Sequence, residues 1–84
     1  MPIVLTYQGY KIYFYSNEGL PLEPVHVHID KAGKTAKVWL KPISVAYTYG
    51  FSSKEIKEIC NFLQKYERFI VEVWNDFFSI SGSD

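Results

Sequence analysis

Cysteine is nearly absent from this chain: Cys60 stands alone, so no intramolecular disulfide can staple the fold. Long apolar runs are missing too. The richest stretch, RFIVEVWNDFF (68–78), is broken by charges and cannot serve as a membrane span. The opening MPIVLTYQGYK has no basic segment followed by a long apolar one, and is not expected to be a signal peptide. Net charge is also lacking: nine Lys and Arg balance nine Asp and Glu, which excludes the strong field of a DNA-coating or membrane-adsorbing protein. There is no Gly-rich phosphate loop, nucleophile elbow or CxxC pair. The expectation is a soluble protein of the reducing cytoplasm with no membrane partner.

What is present is apolar and aromatic. Almost half of the 84 residues are hydrophobic, and seven Tyr, six Phe and two Trp are ample for one small core. No repeat, low-complexity tract or linker divides the chain, so residues 1–84 read as a single domain. Charge is mildly uneven. Residues 1–51 carry five Lys against three acids, and residues 52–84 four basic groups against six acids.

Residues 3–8 and 11–16 read as a hairpin. A two-residue Gly9-Tyr10 turn of type II′ would pair Gln8 with Lys11 and place Ile3 and Leu5 on the face of Ile12 and Phe14. The turn formers of NEGLPLEP (17–24) mark a loop. Residues 25–30 and 34–40 form a second hairpin around KAGK, with Asp30 opposite Thr35. Val25, Val27 and Ile29 then share the core face with Ala36, Val38 and Leu40. The other face receives His26 opposite Trp39 and His28 opposite Lys37, with Tyr13 and Tyr15 at corresponding positions. ISVAYTYG (43–50) alternates as a fifth strand would, although Pro42 precedes it. After Gly50 the apolar period becomes helical: Ser52 and Glu55 form a capping-box pattern, and Ile56, Ile59, Cys60 and Leu63 make one stripe. Phe69, Ile70, Val73, Trp74 and Phe77 make a second, offset around QKYER.

The expected fold is α+β: an antiparallel sheet of four or five strands over residues 3–49, built on two hairpins. Two C-terminal helices, about 52–65 and 66–78, cover one face, and the tail 79–84 frays. The histidine face is left open.

The chain's two histidines both fall in EPVHVHID (23–30). Three readings stand side by side. They are solvated residues on the wet side of a strand. Or they are metal ligands, since His-x-His sends both rings to one side, with Asp30, Glu18 or Glu23 as a third donor for zinc or ferrous iron. Or they are the base and acid of RNA cleavage by the 2′-hydroxyl, without metal or other cofactor. Lys37 then supplies the cation, and Tyr13, Tyr15 and Trp39 stack unpaired bases. Cys60 lies on an apolar helix stripe and reads as a core thiol.

The strings IYFYSNEG, EPVHVHI and AKVWLKPISVAYTYGFSSKEIKEI, followed by a later Trp, resemble a bacterial family of domains of unknown function, DUF4160. Its members read approximately FFFYSNE, EPPHVHV and AK-x-WL-x-P, then a GF that opens a helix with a later W-x-x-F. Val25 stands where the family has its second proline. Carried over by position, the family's polar motif residues fall on Tyr15, Ser16, Asn17, Glu18, His26, His28, Lys37 and Trp39. The resemblance implies the toxin-like component of a toxin–antitoxin-type two-protein module, neutralised by a small companion protein. The activity expected from residues and resemblance together is a metal-independent ribonuclease with His26, His28 and Lys37 catalytic. Tyr13, Tyr15, Asn17, Glu18 and Trp39 would contact RNA or partner. The alternative is a non-catalytic module whose same face docks the companion or nucleic acid, and a metal-dependent enzyme is the third possibility.

Overall fold

The computed structural model describes residues 3–16 and 23–82, with side chains through Phe78. Five strands follow one another, β1 (Ile3–Tyr7), β2 (Tyr10–Tyr13), β3 (His26–Lys31), β4 (Lys34–Leu40) and β5 (Ile43–Tyr49), and then two helices, α1 (Ser53–Lys65) and α2 (Glu67–Gly82). The strands form one antiparallel sheet in the order β1-β2-β3-β4-β5. The architecture is the expected α+β, and the fifth strand is present. Helix α2 runs past residue 78, into the segment expected to fray.

The second hairpin takes the expected register. Asp30 pairs with Thr35, His28 with Lys37 and His26 with Trp39. Its turn, Ala32-Gly33, has φ of 50° and 82°, the type I′ conformation whose twist suits a two-residue hairpin. The first hairpin corrects the reading. Its turn is Gln8-Gly9, at φ of 48° and 86°, so Thr6 and not Gln8 faces Lys11. This register buries Tyr10, whose hydroxyl donates to Glu58 Oε1 at 3.0 Å, and sets Tyr7 on Phe62 with ring centres 4.0 Å apart. The shift is two residues, so Leu5 keeps its core side. A bulge between Ile3 and Leu5 does not preserve Ile3: it pairs with Tyr13 and is exposed, while Val4 packs on the core instead.

One core lies between the sheet and the helices. Ile12, Val27, Ile29, Val38 and Leu40 meet Ile59, Phe62 and Leu63 of α1 and Ile70 of α2. Helix α1 starts where the sequence says it should. Ser52 Oγ accepts from the Glu55 amide at 3.1 Å, and Glu55 Oε1 accepts from the Ser52 amide at 2.9 Å, so two of the end's orphan donors are satisfied. The other oxygen of Glu55 takes Lys34 Nζ at 2.7 Å, fastening the helix start to β4. Just before it, Gly50 sits at φ +92°, and a Cβ there would stand 2.8 Å from the Lys34 side chain. The helices break at Tyr66, with φ −107° and ψ 17°. Of the expected α2 stripe, Ile70 and Trp74 are buried, whereas Phe69 and Phe77 are about half exposed.

Candidate functional site

Alternation sends His26 and His28 to the side of the sheet away from the main core, and the register seats them beside Trp39 and Lys37 as expected. The expectation of an open face is corrected. His26 is fully buried and His28 is 6% exposed. The cause is where β2 ends. Its last ladder partner is Tyr13, opposite His28, so among the described residues β3 has no ladder partner on that side at His26. Trp74 of α2 fills the place, its ring 5.2 Å from His26 and 5.1 Å from Phe14. Trp39 closes the other side at 5.2 Å, and His28 stands 5.3 Å away, nearly perpendicular. The helices therefore cover more than one face of the sheet at this end.

Enclosure fixes His26 chemically. Its Nδ1 lies 2.9 Å from the Pro24 carbonyl oxygen, with Glu23 Oε1 farther off at 4.0 Å. A carbonyl only accepts, so Nδ1 carries a proton here. His28 lies against Tyr13 (5.4 Å, 23° between ring planes) and Tyr15 (4.8 Å). The Tyr13 hydroxyl donates to Asp30 Oδ2 at 3.0 Å, and Thr35 donates to Oδ1 at 2.7 Å. Burial pushes the Tyr13 hydroxyl well above its ordinary range, helped by hydrogen bonding with Tyr15 and Asp30. Lys37 Nζ sits 3.7 Å from Glu23 Oε1 and 4.5 Å from the Trp39 ring centre.

The structure thus gathers Tyr13, Tyr15, His26, His28, Lys37 and Trp39 in one cluster. Asn17 and Glu18 lie outside the described residues. The cluster is not an exposed acid–base pair. A general acid or base must come within hydrogen-bond reach of the atom it serves, and His26 has no surface to offer. Nor is either histidine a surface residue replaceable without loss of packing. Among the described residues no three His, Cys, Asp or Glu side chains group as a metal set, and Asp30 is held by Tyr13 and Thr35.

Two residues that the sequence reading passed over belong to the same face. Tyr47 lies opposite Lys37, and Tyr49 opposite Thr35. Strict alternation from Ile43 and Val45 would put both tyrosines on the core side. The ladder slips between Lys37 and Val38, where Val38 meets Val45 and Lys37 meets Tyr47. This bulge at Ala46 turns them outward. They are 40% and 67% exposed, and Tyr15 is 42% exposed. Two rows now cross the sheet: Tyr13–His28–Lys37–Tyr47 and Lys11–Asp30–Thr35–Tyr49. Repeated Tyr-x-Tyr was the available signal, and only the bulge makes it legible.

No helix among the described residues is long and apolar enough to cross a membrane. No curated protein and no solved structure matches the chain. Residues 9–75, which hold β2 through Trp74 and so the whole described cluster, match the family described as Domain of unknown function (DUF4160), and the chain belongs to that family.

Proposed function

We propose that this chain is the toxin-like component of a bacterial, cytoplasmic two-protein module and that it acts by binding. Its outer sheet face is the surface on which a small companion protein docks. One observation carries the reading: the histidines of this face are enclosed, while Tyr15, Tyr47 and Tyr49 around them are presented to solvent. A catalyst needs the reverse, with its titrating groups in reach of substrate. Interfaces favour exposed tyrosines beside a few charges, since a tyrosine contributes a large contact area at little cost in side-chain entropy. In this reading His26, His28 and Lys37 hold the shape of the face, and Tyr13 and Trp39 support it from beneath. The two-protein setting rests on the likeness of the sequence motifs to that family.

The test is co-expression with the product of the adjacent open reading frame. Tyr47→Ala/Tyr49→Ala should lose co-purification of that protein while keeping its circular dichroism spectrum, and RNA incubated with the purified chain should stay intact. RNA cleavage that disappears in a folded His28→Gln variant would restore the catalytic reading and overturn this one.

A further inference from the structure

We infer that the companion protein docks by adding one extended strand to the free edge of β5, with an apolar side chain of that strand anchored beside Trp39. This deepens the docking reading and rests on it for the existence of the companion. Three features meet along this border of the sheet.

The first is the edge itself. Among the described residues β5 pairs with β4 alone, so its other side ends the sheet. Such an edge presents backbone donors and acceptors in alternation, and only another extended chain answers both in register. The usual protections are missing. Ile43–Tyr49 contains no charge and no proline, and residues 46–49 are exposed. The bulge at Ala46 adds twist, yet the ladder with β4 resumes at Tyr47 and runs on to Tyr49. The sheet's other edge, β1, has five residues to the seven of β5, and its Tyr7 is stacked on Phe62 of α1.

The second is the row of side chains along the edge. Ser44, Tyr47 and Tyr49 share the outer side with their ladder partners Trp39, Lys37 and Thr35. A strand laid against β5 brings its alternate side chains to about 5 Å from this row at their bases. Tyr47 and Tyr49, with ring centres 5.5 Å apart, offer those side chains aromatic surface.

The third is a pocket of about 540 Å³ at the Lys41–Pro42 end, lined by Pro24, Val25, Trp39, Lys41, Pro42 and Ser44. Ser44 is the small residue between Trp39 and the edge. A leucine or phenylalanine on an added strand therefore reaches the Trp39 ring across it. Lys41 is the one charged residue of this lining, so the anchor carries no cation and a carboxylate beside it is favoured. A polyanion or a flat protein surface would use the tyrosines only. A strand uses edge, tyrosines and pocket together, with backbone bonds for affinity and the pocket for specificity.

Hydrogen–deuterium exchange of the full chain, alone and co-purified with the product of the adjacent open reading frame, tests this. Amides of residues 43–49 that exchange fast in the chain alone should slow by about tenfold or more in the complex, because paired amides exchange only on opening. Ser44→Phe, which fills the approach to Trp39 from the edge, should weaken the complex by about tenfold or more, the scale of one lost anchor. Ser44→Ala should bind as wild type does. Both variants alter an exposed residue and should keep the circular dichroism spectrum. Capture that is lost in Tyr47→Ala/Tyr49→Ala but leaves exchange over 43–49 unchanged would overturn the strand inference, while the docking reading stands. Wild-type affinity in a folded Ser44→Phe variant would overturn it as well. A dimer of the chain alone, with 43–49 already protected, would give the edge to a second copy and not to the companion. No capture at all removes the docking reading, and this inference with it.

Discussion

Trp74→Ala is the most informative single change. Trp74 is 3% exposed and touches Phe14, His26 and Phe78 at ring distances of 5.1, 5.2 and 4.4 Å. A buried tryptophan removes roughly 150–250 Å² from water, an upper bound of about 4–6 kcal/mol at ~25 cal/mol per Å². Truncations of large aromatics in cores cost about 3–5 kcal/mol. A domain of this size has roughly 4–13 kcal/mol in all, so the variant should lose a large share of its stability. Urea titration should show that loss, and the melting temperature should fall by at least about 12 °C. A second readout is specific to this site. In the folded variant His26 loses its cover, so its modification by diethyl pyrocarbonate should accelerate well below the melting point. Phe69→Ala, on the exposed flank of the same helix, should cost about 1 kcal/mol or less. A loss under about 1 kcal/mol for Trp74→Ala, or an unchanged His26 reaction rate in a folded variant, would refute the reasoning.

Three further outcomes follow from the contacts. Burial and the Glu58 hydrogen bond push the Tyr10 hydroxyl up to about 12. An unfolded tyrosine titrates near 10, so stability is intact below about pH 10 and is lost as pH rises through about 12. The urea midpoint should fall across that window, less steeply in Tyr10→Phe. At the other end, the Lys34 ammonium and then the Ser52 amide hold the Glu55 carboxyl below its ordinary value. That contribution is present above about pH 4.3 and fades as pH falls further, so wild type and Glu55→Gln should differ at neutral pH and converge in acid. Elemental analysis of the purified protein should find far less than one equivalent of zinc or iron; near one equivalent, lost in His26→Ala/His28→Ala, would contradict the geometry described for His26.

The second hairpin and α1 were legible because several local signals agree there. Val25, Val27 and Ile29 alternate with the histidines, Gly33 suits the turn, and Ser52 with Glu55 marks the cap. The first hairpin and the fifth strand were legible in kind but not in face, because a bulge resets parity without leaving a residue type as its mark. Ile3, Tyr47 and Tyr49 all lie on the far side of such a slip. The enclosure of His26 was not legible at all. Alternation says that a side chain leaves one layer; it does not say what lies above. That depends on β2 stopping at Tyr13 and on a tryptophan from the last helix. The neutral alternation of polar with apolar residues reads as wet-side-out, and here the wet side has a second, aromatic layer at one end.

The strand order has a consequence for how the molecule is made. Each strand pairs with the one before it, and three of the four connections are two-residue turns. A nascent chain emerging N-terminus first can assemble the sheet before either helix is synthesised. During that interval the face later covered by α1 is bare, and so is His26, since its last wall arrives with Trp74. The histidine end is therefore the part of the structure completed last. A ribosome that releases the chain short of α2 leaves the core side with α1 alone and the histidine end without Trp74, the kind of species that chaperones bind and proteases remove. For this protein, quality control can act as a proofreading step on the very element that closes the site.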